Sequence, residues 1–507
     1  MNQKFDTTVT SHPEPAAPTE SSLSANRFLS PFWLAALVAV GSAIWILGRM
    51  EAEPHFADES AMIAQSYYYT LFKSGQWHHP DWLHYAAYDH PPLPKYMFGL
   101  FLNLAGLPTP KSIAAWENWA RGDFSPPRDP RVLYWARVPA AIFGIGGVLA
   151  VFFIGLQVHG RLVGLLAAFL LAVNPLYFTH ARRAMSDSFA ECLVISAVAA
   201  ALWGARLLWA SEFRLRQWAL FELVQSVLCG LAVLAKLNGG IAIILVFSIF
   251  AMNYLAVHFV RHQRGAPITK PPLSPASGRE VGGEGLGNLT DSRNLRMAPI
   301  SVAAIAAGSL AIFVVLNPFL TSRPQLAANS PREQREIAAK GFVGRARFLV
   351  QFRREWSRDA TRNEYFRKDW LLTISDRLRM TLWEGFGRFS ALGPRNIRTI
   401  EPRPDKELFS DYRRAWSLIW FPLCLLGFGW TLADGWQAVR TDRMPQAWGL
   451  AMYATVTIGL MVLIMLPLNW DRYYLPMQAC SAVLVPYGIV SSLNRLRSHP
   501  LPTAAGF

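Results

Sequence analysis

The amino-acid sequence predicts an all-α integral membrane protein, a multi-span helical bundle with further helices at the membrane surface. The 507 residues are 52% hydrophobic and only 16% charged, with a mean hydropathy of +0.20, which is too apolar for an ordinary soluble domain. Several apolar stretches reach the roughly 18–20 residues needed to cross about 30 Å of hydrocarbon. Basic residues gather in every second connection between these stretches, as in the cytoplasmic loops of membrane proteins.

Apolar stretches of spanning length follow one another along the chain, and we predict about ten of them. The first follows a polar leader and has no Ala-x-Ala cleavage site before the next acidic residues, so we interpret it as a retained anchor. Another stretch, Leu93–Leu107, is short and carries Lys95 and Asn103, so we predict that it is interfacial or re-entrant. The predicted spans are Pro31–Gly48, Val138–Leu156, Leu162–Phe178, Ser188–Trp209, Trp218–Ala235, Gly239–Val260, Ala298–Leu316, Trp416–Leu432, Ala447–Leu468 and Tyr474–Ser492.

The charge distribution predicts the orientation of these spans. With a cytoplasmic N-terminus every inner connection is basic, as the positive-inside rule expects, whereas a full span at Leu93–Leu107 would place the basic connections outside. Nearly all the unusual polar residues then fall on the outer side, which is independent support for an outward-facing site. We therefore predict a multi-pass protein of the inner (plasma) membrane. The inner connections are 159–161, 206–217, 261–296, 440–443 and the tail from 494, and the outer ones are 51–92, 179–187, 236–238, 317–414 and 469–474.

Two long connections differ in character. Residues 263–294 are rich in Pro, Gly and Ser without apolar periodicity, which predicts a disordered cytoplasmic linker. The outer stretch Pro331–Gly387 is helical in pattern, because Ser330 is a suitable N-cap and Glu333 a capping-box residue. Its aromatic residues alternate with arginines, which fits either a helix on anionic lipid headgroups or a lid or acceptor-binding surface above the site.

Charge and motif content restrict the function classes. The net charge of +15 would suggest nucleic acid for a soluble protein, but cytoplasmic loops account for much of it, and an anionic lipid phosphate is the alternative partner. The four cysteines lie singly in apolar runs, which indicates packing rather than metal binding. No Gly-x-Gly-x-x-Gly, Walker A, His-Glu-x-x-His or Gly-x-Ser-x-Gly motif is present. Nucleotide-sugar or ATP chemistry is therefore unsupported, and we predict no nucleic-acid partner.

The first outer connection carries the most informative residues. Asp58 and Glu59 stand beside the membrane surface, where a carboxylate can act as general base for an acceptor hydroxyl. They can equally be acids that favour a helix N-terminus, here a helix starting near Ser60. Asp89 and His90 precede two prolines that fix their direction, although a simple turn would give the same pattern.

A second set of polar residues lies at the outer ends of later spans. If the segment before the fourth span is helical, Arg183, Asp187 and Glu191 share one face. The fixed fork of an arginine suits phosphate oxygens, and Asp187 could hold that arginine, bind a metal ion or bind sugar hydroxyls. A juxtamembrane salt bridge is the structural alternative, and headgroup anchoring is the alternative for single charges. The candidates of this set are Arg182, Arg183, Asp187, Lys236 and Arg472.

In this order the motifs resemble the integral-membrane glycosyltransferases of the protein O-mannosyltransferase type and their bacterial relatives, including the lipid A aminoarabinose transferases. The resemblance covers about 32–240 and is loose beyond, except at 471–476. Its elements are the acid pair Asp58-Glu59, the Asp89-His90-Pro91-Pro92-Leu93 run with Lys95, Arg137-Val138-Pro139-Ala140, Arg183 with Asp187, and Lys236 with Gly239.

The resemblance implies a GT-C fold and transfer of one sugar, hexosyl, mannosyl or related, from a polyprenyl-phosphate donor to an acceptor outside the cytoplasmic membrane. By the same resemblance, Asp58 is the catalytic base, and Asp89 and Asp187 shape the sugar site or a divalent-metal position. Arg183 and Lys236 meet the lipid phosphate. We include Glu59 with the catalytic candidates, and His90, Arg137, Arg182 and Arg472 with the substrate-binding ones.

The domain organisation follows from these predictions. A disordered cytoplasmic leader (1–31) precedes a catalytic transmembrane module (32–260) and the disordered cytoplasmic linker (261–297). A C-terminal transmembrane module (298–493) contains a large extracytoplasmic loop (321–414), and 494–507 form a cytoplasmic tail. No soluble lumenal domain is recognisable, so the acceptor class stays open between lipid, glycan and protein. The competing functions are a transporter or flippase of lipid-linked glycans, which would need charges midway across several spans, and a structural scaffold.

Overall fold

The computed structural model describes residues 30–48, 50–263, 292–362, 373–379, 381–382, 411–465 and 474–498. All regular elements in these ranges are helical, which confirms the predicted all-α fold. Nine helices are long and apolar enough to cross a membrane, and up to ten if one bent pair forms a single span. The prediction of about ten spans is therefore confirmed for the described ranges. The leader, most of the linker and Arg472 lie outside them.

The N-terminal half contains long apolar helices and, between the first two of them, a series of short helices. They are α1 (Pro31–Leu47), α2 (Ala57–Gln65), α3 (Tyr67–Lys73), α4 (Tyr85–Tyr88), α5 (Pro92–Leu104), α6 (Ala114–Ala120), α7 (Pro130–Val158), α8 (Arg161–Val173), α9 (Pro175–Ala181), α10 (Asp187–Trp209), α11 (Leu215–Ala235) and α12 (Ile241–Gln263). Helix α5 has 13 residues, too few to span about 30 Å, which agrees with excluding it from the spans.

The C-terminal half contains four apolar helices and, between the first two of them, a group of more polar helices. They are α13 (Ser292–Val315), α14 (Pro318–Thr321), α15 (Arg332–Ala339), α16 (Gly341–Arg362), α17 (Ile374–Arg379), α18 (Asp411–Arg440), α19 (Gln446–Leu460) and α20 (Leu475–Ser498). Helix α20 is the most buried of the candidate spans, because 89% of the residues in its 18-residue apolar segment are buried inside the protein. It therefore lies in the centre of the bundle rather than at its lipid-facing rim.

The predicted span Leu162–Phe178 consists of two helices, α8 and α9, which are bent by 69° at Asn174. Pro175 has no N–H and disfavours helical geometry in the residue before it. Asn174 is accordingly extended, and its side chain accepts a hydrogen bond from the Tyr177 N–H at 3.0 Å. Its amide also donates to Gln478 of α20 at 2.9 Å. The break is thus capped and tied to the central helix, as broken backbone inside a membrane protein must be.

The two ends of the helical bundle contain different connections and different polar contacts. At one end Trp218 donates to the side chain of Asn294 at 3.1 Å, and Asn294 donates to the Ala210 carbonyl at 2.9 Å. Arg495 and Asp434 pair at the same set of connections, 2.6 Å apart. The other end holds 46–59, 182–187 and 236–240, which contact one another as described below. This is the grouping of connections that the charge pattern predicted.

Helices α14, α15 and α16 form one surface unit, residues 318–355. Buried Arg345 of α16 holds it together, because its guanidinium donates to the carbonyls of Phe319, Ser322 and Ile337 at 2.8–3.4 Å. The predicted capping of α15 is wrong in detail. Pro331 is the N-cap residue and makes no side-chain cap. Glu333 instead accepts a hydrogen bond from the Tyr88 hydroxyl at 2.7 Å, so it joins the surface unit to α4.

Candidate active site

The acid pair lies in the first turn of α2, which begins at Ala57 rather than near Ser60. Glu59 is completely buried. Its two oxygens accept four hydrogen bonds: two from Arg137 at 2.8 Å each, one from the Phe56 N–H at 2.9 Å and one from the Ala184 N–H at 2.8 Å. A carboxylate with four donors and no exposure has no free lone pair for a substrate proton. The geometry therefore gives Glu59 a structural position.

Arg137 is equally occupied. Besides the two bonds to Glu59, it donates to the backbone carbonyls of Met50, Glu53 and Pro54 at 3.0, 2.8 and 3.2 Å. These five bonds use all five guanidinium N–H groups. The predicted substrate contact of Arg137 therefore needs correction: the residue fastens the connection after α1 and the start of α2 to helix α7.

Asp58 differs from its neighbour because it is only half-buried. It occupies the same first helical turn, where the helix dipole favours a carboxylate. Glu59 and Arg137 immobilise this turn, so they also fix the backbone from which the Asp58 side chain projects. Of the two acids, Asp58 is the one with access to a ligand.

Asp89 is held among cationic groups. Its Oδ2 lies 2.8 Å from Nδ1 of His90, and its Oδ1 lies 3.8 Å from the guanidinium of Arg353 on α16. Burial acts to raise the pKa of Asp89, but His90, Arg353 and Lys95 outweigh it and hold this pKa at about 2. Asp89 is therefore a carboxylate at all physiological pH values.

Lys95 is fully buried on α5, with 1% of its surface exposed. Its ammonium donates to the carbonyls of Ala86 and Ala87 in α4 at 2.6 and 2.9 Å, and it lies 5.1 Å from the centre of the Tyr68 ring. Burial lowers its pKa to about 7, against the opposing influence of Asp89. Lys95 thus supports the α4 helix that leads directly into Asp89.

The two neighbouring arginines have separate partners. Arg183 pairs with Glu53 at 3.1 Å and lies over the Phe56 ring at 4.7 Å. Arg182 donates to the carbonyl of Ile46 near the end of α1 at 3.0 Å and stacks on Phe178 at 3.7 Å. Arg182 therefore supports the C-terminus of α1, where unpaired carbonyls favour a cation.

The segment 182–186 is not helical, so the predicted common face of Arg183, Asp187 and Glu191 is wrong. Asp187 begins α10 and pairs with Lys236 at 2.7 Å instead of holding Arg183. Lys236 stands between α11 and α12 and keeps 24% of its side chain exposed. Lys236 is the more accessible of the two predicted phosphate contacts, since the side chain of Arg183 is only 7% exposed.

Two residues of the site were missed at the sequence level. Glu53 lies five residues after Gly48, the last residue of the predicted first span. An acidic residue so close to the membrane surface could have been selected as a candidate site residue. Burial raises the pKa of Glu53 although Arg183, Arg137 and Arg182 act to lower it. From the sequence, Arg353 is one of several arginines in a basic helix, and nothing distinguishes it as a residue of the site. Its partner Asp89 is too distant in sequence for any local pattern to reveal.

The separate pairs belong to one polar cluster. Ala184 donates to Glu59, so the acid pair and the 182–187 segment are in direct contact. Leu237, next to Lys236, packs against the hydrophobic cluster that contains Phe319 and Tyr88, the residue before Asp89. The motif segments thus meet at one end of the bundle. Among the residues that the structure describes, no group of three His, Cys, Asp or Glu side chains is placed to hold a metal ion.

Residues 69–261 match the family model described as dolichyl-phosphate-mannose-protein mannosyltransferase. The match contains Asp89, Arg183, Asp187 and Lys236 and begins after the acid pair. The family resemblance expected from the motifs is confirmed over these residues. No curated protein is similar enough to the chain to count as a relative.

Solved structures with a similar chain path come from two kinds of membrane enzyme. The oligosaccharyltransferase AglB of Archaeoglobus fulgidus, in complex with an inhibitory peptide and a dolichol-phosphate, has a TM-score of 0.47 and 14% identity. The similarity covers 92% of this chain and 50% of that one. ArnT of Cupriavidus metallidurans bound to undecaprenyl phosphate has a TM-score of 0.46 and 12% identity, covering 92% and 63%. The chain thus spans half to about two thirds of these proteins.

Proposed function

We propose that this protein transfers a single sugar from a polyprenyl-phosphate donor to an acceptor at the extracytoplasmic face of the membrane. The observation that carries the proposal is the polar cluster at one end of the bundle. It joins motif residues of the segment that matches a lipid-phosphate mannosyltransferase family to the acid pair that precedes this segment. Mannose is the sugar that the family description suggests, and the acceptor is a lipid, a glycan or a protein.

Asp58 is the general base in this proposal. Displacement of a lipid phosphate from a sugar carbon requires an acceptor hydroxyl to lose its proton, while the phosphate is already a competent leaving group. One positioned base is sufficient, and it must reach the hydroxyl. Glu59 is excluded from this role by its four hydrogen bonds, whereas half-buried Asp58 projects from the turn that Glu59 holds in place.

Asp89 serves as a site-shaping carboxylate rather than as a base. With a pKa of about 2 it takes up a proton poorly at neutral pH, and a general base works best when its pKa is near the operating pH. Its ionised form instead holds His90 and Arg353 at one wall of the site. A carboxylate in that position can also accept hydrogen bonds from sugar hydroxyls.

We propose a position for the donor phosphate from the charges and exposure of the site residues. Arg183 is neutralised by Glu53 and is nearly buried, so it is the weaker candidate of the two predicted residues. Lys236 is paired with Asp187 but remains partly exposed. Near Asp89, His90 and the guanidinium of Arg353 lie close to the carboxylate. We place the phosphate against Lys236 and the His90–Arg353 side of the cluster, because a partly exposed ammonium and an arginine fork both suit phosphate oxygens.

Cells lacking the protein test the function directly. Mass spectrometry should detect accumulation of one polyprenyl-phosphate sugar and loss of one sugar from a surface glycan, lipid or protein. A transporter of lipid-linked glycans would give a different result: the donor would accumulate on the cytoplasmic side only, and purified protein would transfer no sugar. Unchanged pools of both donor and glycans would contradict the proposal.

A further inference from the structure

Helix α16 uses one face to contact the site. Phe348 and Phe352 lie 5.3 and 5.0 Å from the centre of the Tyr88 ring, and Arg353 reaches Asp89 at 3.8 Å. Leu349 on the same face is buried. These residues recur at intervals of three and four, which places them on one side of the helix. This side closes over the residue pair Tyr88-Asp89.

The opposite face of α16 is exposed and has its own pattern. Val343, Arg347, Val350 and Arg354 follow at intervals of four, three and four, and all four are exposed. The two valines have 60% and 70% of their surface accessible. No acidic residue belongs to this outer stripe, and Glu355 lies at its edge. A stripe that alternates apolar and basic side chains is unusual for a helix facing water alone.

Anionic lipid headgroups are the partner that this outer stripe fits. Arginines bind phosphate oxygens while neighbouring valines enter the interfacial region. The location agrees, because the surface unit begins at Pro318, three residues after the spanning helix α13 ends at Val315.

We propose that anionic headgroups seat the outer stripe of α16 and thereby hold Arg353 against Asp89, so that the lipid composition of the membrane regulates the site. This inference rests on the proposed function, because one of its two tests measures sugar transfer. Both faces of one rigid helix are engaged at once. Attraction on the lipid side therefore favours the closed contact on the Tyr88-Asp89 side, and loss of the negative lipid lets the helix lift.

The lipid contact is tested by fluorescence quenching, with a fluorophore attached to the cysteine of the Val350→Cys variant. The native cysteines Cys192, Cys229, Cys424 and Cys480 are all buried, so the introduced thiol is labelled selectively. The full-length protein is placed in nanodiscs of phosphatidylcholine alone or with phosphatidylglycerol, each with a headgroup spin-labelled lipid as quencher. Quenching should be stronger with phosphatidylglycerol. Each arginine near an anionic surface contributes about fivefold, so adding Arg347→Gln and Arg354→Gln should weaken seating about 30-fold.

Arg332→Gln is the matched control, because Arg332 is also a basic surface residue of the unit but is paired with Glu336 at 2.7 Å on α15. It should leave quenching unchanged. Equal quenching in both nanodiscs, or quenching only when an acceptor substrate is added, would overturn the inference.

Activity provides the second readout. Transfer should rise with phosphatidylglycerol in the wild type and in Arg332→Gln, and the rise should be lost in the Arg347→Gln/Arg354→Gln variant, with equal rates in phosphatidylcholine. The same rise in all three proteins would contradict the inference. Seating of the labelled helix without any sugar transfer by the wild type would contradict the proposed function and support the lipid contact.

Discussion

At the scale of single residues, the ion pairs of the site differ in burial, and burial determines what each contributes. The Glu59–Arg137 pair is 0% and 2% exposed and has no unused hydrogen-bonding group. Removing one member leaves the other charged and buried, which typically costs about 3–5 kcal/mol. We expect Glu59→Gln and Arg137→Met to lower the free energy of unfolding by about this amount, measured by thermal or denaturant unfolding in detergent.

The exposed pair Asp129–Arg131 provides the control for this comparison. The side chain of Arg131 is 73% exposed, and pairs of this kind contribute about 0–1 kcal/mol. Asp129→Asn should therefore change stability little, since the Asn side chain can still cap α7. If Glu59→Gln were as mild as Asp129→Asn, the structural position assigned to Glu59 would be wrong.

The pKa of Asp89 predicts a pH dependence. Its folded-state pKa is lowered from 3.8 to about 2, so the unfolded chain binds the proton more readily. The stability that this group contributes is present above about pH 4 and is lost as the pH falls toward 2. Asp89→Asn should remove this part of the acid-induced loss of stability. Identical acid unfolding curves for wild type and variant between pH 2 and 5 would contradict the assignment.

At the scale of elements, the docking of α16 is the feature with the clearest consequence. Phe352 packs edge-on against Tyr88 at 5.0 Å, and such aromatic pairs contribute about 0.5–1.5 kcal/mol beyond burial. Phe352→Ala should raise hydrogen exchange in 341–355 and lower transfer, because Arg353 loses its position. Gln351→Ala, at the neighbouring exposed position, should change neither. Unchanged exchange in Phe352→Ala would show that α16 does not depend on Tyr88.

The long helices could be predicted from sequence because a membrane requires about 20 apolar residues per span, and this requirement is local. The break at Asn174 was missed, although an Asn-Pro step inside an apolar run is itself a signal for a capped helix start. The docking of α16 on Tyr88 could not be predicted, since its apolar face fits lipid and protein equally well. The residues involved are also far apart in sequence, as the hydrogen bond from Tyr88 to Glu333 of the neighbouring α15 shows across 245 positions.

The sequence identified many residues of the candidate site, but it did not identify the partners with which they form ion pairs and hydrogen bonds. Asp58, Glu59, Asp89, Asp187 and Lys236 were selected by motif and by their place next to spans. Their partners were not identifiable, because Glu59 and Arg137 lie 78 positions apart and Asp187 and Lys236 lie 49 apart. Burial distinguishes a structural acid from one that a ligand can reach. The sequence does not show this difference, because Asp58 and Glu59 are adjacent and belong to the same motif.

At the scale of the whole molecule, the two ends of the bundle predict a topology. Residues 58 and 187 belong to segments in direct contact, since Ala184 donates to Glu59. We expect single cysteines at 58 and at 236, whose lysine pairs with Asp187 and is partly exposed, to react with a membrane-impermeant reagent from outside the cell. Cysteines at 161 and 261 should react only from the cytoplasmic side. Opposite reactivity of residues 58 and 236 would contradict both the fold and the orientation.

The central claim is that Asp58 is the base of a sugar transfer from a polyprenyl phosphate, and transfer by purified protein tests it most directly. General-base assistance is worth about 10²–10⁴-fold. Asp58→Asn should therefore lower turnover by about that factor while keeping the thermal stability and the donor affinity of the wild type. Glu59→Gln should lose activity only in parallel with its loss of folded protein. A near-normal rate for Asp58→Asn, with the fold intact, would contradict the account.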